Sequence, residues 1–235
     1  MHIWDNSPKN AIESENLNIK IQNFVTDYSW HPENTPLSVI YNKTASQIGQ
    51  NEYMIILDQD SKLPPEFLIE MRSAAEINPE VKLFLPKVHN GEKLVSPGKL
   101  FLFKGHHLKH ITHGKISSKN MLAISSGMMI SSQYLSKNSF DERLALYGID
   151  TRFMIDFARK EDHLSVVPTT ISHDTALWST SDPDKLLPRF RALIRTWPIV
   201  FEDKQLTKLA STFYGYVLRL KMTIKYRDLR FLLLK

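Results

Sequence analysis

The chain has 235 residues, 42% of them apolar, and no cysteine, which supports a full core in one domain plus an appendage and excludes collagenous, disordered and disulfide-built classes as well as thiolate metal sites. The net charge of +5 is unevenly spread: residues 204–235 carry eight basic residues against the single acid Asp228, a net +7, leaving −2 for residues 1–203. The opening residues lack the basic start and apolar stretch of a secretion signal, and no apolar run reaches about 18 residues, so a cytoplasmic protein that does not span a membrane is expected.

In chain order, Ile3-Trp4 reads as a short strand ending in the turn cluster Asp5-Asn6-Ser7-Pro8. A second short strand is expected near Tyr28-Ser29-Trp30. Ser38 can cap a helix that turns Ile40, Tyr41, Ala45 and Ile48 inward and stops at Gly49. Tyr53-Met54-Ile55-Ile56-Leu57 is a continuous apolar run of strand length, the pattern of a buried parallel strand, and it ends abruptly in Asp58-Gln59-Asp60-Ser61. Pro64-Pro65 then opens a helix with Phe67, Met71 and Ala74 at helical spacing. Val81–Leu85 and Met121–Ile124 are further strand candidates. The alternation predicts an α/β layer fold with a mostly parallel sheet flanked by helices, and in such sheets ligands gather beyond the carboxyl ends of the strands. Asp5, Asp58 and Asp60 all fall at such ends.

Two carboxylates two residues apart just past a buried strand suit a divalent cation and a diphosphate, because Mg²⁺ favours one or two carboxylates together with phosphate oxygens and water. The same spacing also describes a solvated turn, where Asp is common. Asp150 likewise has two readings: a free carboxylate, or the N-cap of a helix over Thr151–Lys160. The histidines at 106, 107, 110 and 113 could ligate a metal if helical, or lie in a solvated hairpin. Phe101-Leu102-Phe103 reads as core or as part of a paired strand.

Leu57-Asp58-Gln59-Asp60-Ser61, followed by Leu63-Pro64-Pro65-Glu66-Phe67-Leu68, resembles a block of the bacterial family-2 glycosyltransferases, particularly the rhamnosyltransferase-like branch. Asn34–Asn42 is similar to that family's upstream block but carries Pro36 where glycine is usual. Ile124-Ser125-Ser126-Gly127-Met128-Met129-Ile130-Ser131, Phe140-Asp141-Glu142-Arg143-Leu144, Tyr147–Phe153 and Ile171-Ser172-His173-Asp174 follow in the family's order.

The resemblance implies a GT-A (Rossmann-like) fold with a mixed, mostly parallel sheet over residues 1–203, short at its N-terminus for lack of a first strand and helix. It also implies inverting transfer of a sugar from a nucleoside-diphosphate donor to a glycan or lipid-linked acceptor, in bacterial surface polysaccharide synthesis. By the same resemblance Asp60 and His173 would hold Mg²⁺ or Mn²⁺, and Asp58 would face the ribose or the metal's water shell. Asp5 would contact the nucleobase, Asn42 and Gly127 would shape the donor pocket, and Asp150 would be the general base. Gly148 stands near where the family carries an earlier acid. The alternative is a catalytically weak relative that binds nucleotide or glycan, or serves as a partner subunit.

Residues 204–235 form a separate device. Leu206, Leu209, Phe213, Tyr216, Val217 and Leu220 share one helical stripe, with Lys204, Lys208 and Arg219 opposite. A basic amphipathic helix can lie on an anionic membrane, here the inner face of the cytoplasmic membrane, or pack its stripe on the catalytic domain. No nucleic-acid module accompanies the charge, so no nucleic acid is expected as partner.

Overall fold

The computed structural model describes residues 1–10, 27–172 and 182–234. Its central sheet runs β3 (Tyr53–Ile55), β10 (Met129–Ser131), β4 (Leu83–Asn90), β11 (His163–Ser172), β8 (Gly114–Ser117), with β5 (Lys93–Ser96) also paired to β4. Strands β1 (His2–Asp5) and β2 (Asp27–Trp30) form a parallel pair, and β6 (Gly98–Phe101) lies between β7 (Lys104–His107) and β9 (Met121–Leu122) in a third, smaller sheet.

The sheet is mixed, as the resemblance implies, but it is not mostly parallel. Within the central sheet only β4 and β11 run parallel, among the described residues, while β10 is antiparallel to both β3 and β4, and β8 to β11. A continuous apolar run reports burial on both faces, which β4 satisfies with Leu83, Phe84, Leu85 and Pro86 all buried. It says nothing about strand direction, which the connections fix: the tight turn through Gly91-Glu92 forces β5 back along β4.

Successive side chains of a strand point to opposite faces, so β4 feeds two cores. Leu83 and Leu85 pack with Phe153 and Phe157 of α4 (Ile149–Lys160), while Phe84 and Val88 pack with Phe67 and Met71 of α2 (Phe67–Ile77). Each such side chain, fully buried, contributes about 1.5–3 kcal/mol, and together they fix the sheet between the two helices.

Helix α1 (Leu37–Ala45) starts and stops earlier than expected: Pro36 holds the N-cap position without a side-chain bond, and Ser46 closes the helix ahead of Gly49. The Leu37 amide is satisfied by the Ala145 carbonyl at 2.8 Å, so Ser38 is not needed as a cap and its hydroxyl is buried. A short helix α3 (Ser132–Leu135) follows β10, capped by Ser131. Helix α5 (Pro183–Val200) and α6 (Gln205–Tyr226) pack together with a 3₁₀ turn at Leu229–Phe231 around Leu186, Phe190, Met222 and Phe231. The helix begins on the far side of the boundary expected at Asp203, yet α5, within residues 1–203, is its packing partner. The histidine-rich stretch enters through β7, an exposed hairpin strand and not a helix; Phe101 ends the paired strand β6, Phe103 packs against the core, and Phe101 and Leu102 are exposed at the hairpin's tip.

Candidate active site

The apolar run of β3 ends where the chain needs a turn, and the loop that follows is held from two sides. The Asp58 amide donates to Ser126 Oγ at 3.4 Å, the hydroxyls of Ser61 and Ser126 are hydrogen-bonded, and the Ser61 amide donates to the Asp58 carbonyl at 3.1 Å. On the other side Lys62 and Ser172 exchange both backbone hydrogen bonds, at 2.9 and 3.3 Å. The acidic loop is thereby fixed between the segment entering β10 and the carboxyl end of β11, three stretches distant in sequence. Asp58 is half-buried and Asp60 exposed.

Gly127 makes this junction possible. Its φ is +83°, and an added Cβ would lie 2.5 Å from Pro86 Cγ and 2.9 Å from Ile171 Cδ1. The Gly127 amide donates to the Ile56 carbonyl at 2.7 Å, so the close approach of backbone to β4 and β11 sets where the acidic loop leaves the sheet.

Asp150 sits in the first turn of α4, where a carboxylate is favoured by the helix dipole. It is not the N-cap. That position belongs to Gly148, at φ +81° and with no room for a Cβ, which would meet Val200 Cγ2 at 2.7 Å. The half-buried Asp150 therefore does not occupy the capping position that the sequence offered it. The buried Tyr41 phenol, 3.5 Å from Ser125 Oγ, has its pKa raised first by burial and to a lesser degree by the charges of Asp150 and Asp58.

Asn42 is held by three hydrogen bonds to the loop after α3. Its amide nitrogen donates to the Phe140 carbonyl at 3.0 Å and to the Glu142 carboxylate at 2.9 Å, while its oxygen accepts the Phe140 amide at 2.8 Å. It therefore clamps the loop that leads to Gly148 and Asp150. Asp5 is buried; one carboxylate oxygen accepts the Ser7 amide at 2.8 Å and the other the Tyr28 hydroxyl at 2.5 Å, fixing the turn after β1. Trp4, next to it, stacks on His31 at 3.8 Å with the Lys43 ammonium 4.7 Å from its ring centre. His173 lies outside the described residues.

Sequence reasoning gave Tyr41 and Ser126 no role at the site, although both fall within segments that carry the family resemblance. It also missed the ion network at the join of α4 and α5, for which linear spacing has no signal. Arg152, almost wholly buried, contacts Asp203 at 2.5 Å and Asp156 at 2.8 Å, Arg159 reaches Asp203 at 2.9 Å, and Arg143 bridges Asp141 and Glu202. Burial pushes the Asp203 carboxyl up, but hydrogen bonds from Arg159 and Arg152 outweigh this and hold it below the usual carboxylate value.

Among the described residues no group of three or more His, Asp or Glu side chains gathers to hold a metal ion. The oxygen donors of Asp58 and Asp60 still fit Mg²⁺ or Mn²⁺, since such an ion takes one or two carboxylates and completes its shell with phosphate and water. Two open depressions of about 420 and 570 Å³ lie elsewhere, one between α1 and α3 and one beside Asn42 and Arg143; neither is lined by the acidic loop.

No protein-family model matches the sequence, and no curated protein does. Among solved structures the chain is similar to GalNAc-T7 with UDP, GalNAc and Mn²⁺, at a TM-score of 0.57 and 12% identity, covering 97% of this chain and 48% of that one. The chain thus has a glycosyltransferase-like fold and spans about half the length of that neighbour. This likeness supports the GT-A-like fold and not the rhamnosyltransferase branch.

Proposed function

We propose that the chain is a nucleotide-sugar-dependent glycosyltransferase whose donor diphosphate lies over the Asp58–Asp60 loop. The observation that carries this reading is an acidic loop beyond β3, pinned by Ser126 and by the Lys62–Ser172 backbone pair, on a fold similar to that of a glycosyltransferase; Asp150, in the first turn of α4, is the second carboxylate of the proposal. In the proposal Asp60 and Asp58 hold a divalent cation, which supplies positive charge to the departing diphosphate and so stabilises the transition state more than the ground state. Asp58 also faces the ribose. Asp5, through the Ser7 amide and Tyr28, shapes the nucleobase end. Asp150 accepts the proton of the acceptor hydroxyl as it attacks the anomeric carbon from the face opposite the leaving group, so that configuration inverts. Asn42 keeps Asp150 in reach by fixing the loop before it. The acceptor is a hydroxyl of a glycan or of a lipid-linked glycan, as in bacterial surface polysaccharide synthesis.

The test has two stages. Nucleoside diphosphates screened by thermal shift with Mg²⁺ or Mn²⁺ should raise the melting temperature, as a ligand that binds only the folded state must. Transfer or hydrolysis of the matching nucleotide sugar should then fall about 10²- to 10⁴-fold in Asp150→Asn, with nucleotide binding retained. If no nucleoside diphosphate shifts the melt, the reading fails; binding without turnover of any donor would make the chain a nucleotide-binding relative.

A further inference from the structure

Helix α6 is mounted the wrong way round for a helix whose only task is to pack. A surface helix of a folded domain ordinarily turns its apolar stripe to the core. In α6 the face against the body buries Thr207, Ser211, Gly215 and Met222, with Tyr214, Leu218 and Tyr226 half-buried beside them. The small residues Thr207, Ser211 and Gly215 let the helix approach α5 closely, with Gly215 near Ile194 and Trp197, and the Ser211 hydroxyl is satisfied within the helix by the Lys208 carbonyl at 2.9 Å. The opposite face carries Leu206, Leu209, Phe213, Tyr216, Leu220 and Ile224, every one exposed: Leu206 at 84%, Phe213 at 70% and Ile224 at 69%. At 3.6 residues per turn these six positions fall within an arc of roughly 100°, on the side away from α5.

A second element adds to this face. The tip of the β6–β7 hairpin is tied to α6 by Phe103, whose ring lies 5.4 Å from that of Tyr214, and by Lys104, whose ammonium lies 4.1 Å from the Tyr214 ring centre. At the same tip Phe101 and Leu102 are exposed, and Leu102 adopts φ +55°. A two-residue hairpin turn asks for asparagine or glycine at such a position. Turn chemistry alone does not call for leucine there.

The charge selects the occupant. The segment that presents this face, 204–235, carries a net +7 while residues 1–203 carry −2. A second copy of the chain would bring two like-charged faces together. An anionic bilayer surface matches both the apolar arc and the basic residues that flank it, Lys221 on one side and Arg219, 5.2 Å from the Tyr216 ring centre, on the other, and repels the body.

We propose that the outer face of α6, with the Phe101–Leu102 hairpin tip, is a docking surface for an anionic membrane, on which the helix lies in the plane of the interface. No helix of the described residues is long and apolar enough to cross a bilayer, and an in-plane helix inserts only its apolar face into the headgroup boundary. The inference stands on α6 and the hairpin, independently of the transferase reading.

The experiment is co-sedimentation of the full chain with vesicles of phosphatidylcholine alone or mixed with phosphatidylglycerol. Binding is expected to the mixed vesicles, weakening with salt. Neutralising one charge by Lys221→Gln should weaken it about fivefold, at about 1 kcal/mol per charge near the surface. Phe213→Gln should weaken it roughly tenfold or more, the loss expected when one large apolar side chain no longer leaves water. Both variants alter exposed side chains, so their melting temperatures should match that of the parent. Absence of binding to the mixed vesicles overturns the proposal, as does binding that neither variant changes. A dimer in sedimentation velocity that Phe213→Gln dissolves, with no vesicle binding, would assign the face to a second copy instead.

Discussion

Replacing Gly127 by Ala tests whether backbone approach at this residue sets the acidic loop. Two costs add. An L-residue held in the left-handed region loses about 1–2 kcal/mol, and Gly127 sits at φ +83°. The new Cβ would also stand 2.5 Å from Pro86 Cγ, an atom of a rigid ring in β4, and 2.9 Å from Ile171 Cδ1. Ile171 can yield by rotating its side chain, but the proline ring cannot, so the usual overpacking penalty of about 1–3 kcal/mol applies. The expected total is about 2–5 kcal/mol. Gly91→Ala supplies the reference: φ there is +59° with nothing within 4 Å of an added Cβ, so only the conformational cost remains. Urea unfolding of both variants against the parent separates the two contributions. If Gly127→Ala is no less stable than Gly91→Ala, the steric argument for this junction is wrong.

Removing the Asn42 clamp by Asn42→Ala should cost about 2–4 kcal/mol in the same assay, because two backbone bonds to Phe140 are lost and its amide and carbonyl are left to be desolvated without partners. Asn42→Asp keeps an acceptor for the Phe140 amide but sets a charge against Glu142, and should fall between parent and Ala variant. Asp203→Asn should cost about 1–3 kcal/mol near neutral pH, less than a fully buried pair, because the Asp203 side chain is 28% exposed and Arg152 keeps Asp156. The pH dependence follows from the lowered Asp203 pKa: its stabilisation is complete above the unfolded-state value of about 3.9 and is lost as pH falls through the lower folded-state value. The parent's stability should therefore drop more steeply than that of Asp203→Asn below about pH 4; parallel profiles would show that the network contributes nothing.

Much of the candidate site was legible in linear order. The run Tyr53–Leu57 broke at an acidic pair, and the segments around Ser125–Gly127 and Ile171–Ser172 stood out as motifs; the fold joins all three by hydrogen bonds. What linear order lacked was the partner of each polar group. That Asn42 bonds to Phe140 was not visible in the sequence, nor was the choice between the two readings of Asp150, of which the capping one falls because Gly148 fills that position. Arg152 and Asp203 lie 51 residues apart, with no local pattern to announce their pairing.

Helix α6 shows where the division falls. Side-chain periodicity along the chain settled that Leu206, Leu209, Phe213 and Leu220 share one face and that a basic segment carries it, because which residues align on a helix follows from its 3.6-residue repeat alone. Which face meets the body is a matter of fit with another element, and the close approach of α5 at Gly215 decided it. Strand direction in the central sheet was decided in the same way, by the connections and neighbours that each apolar run acquired on folding.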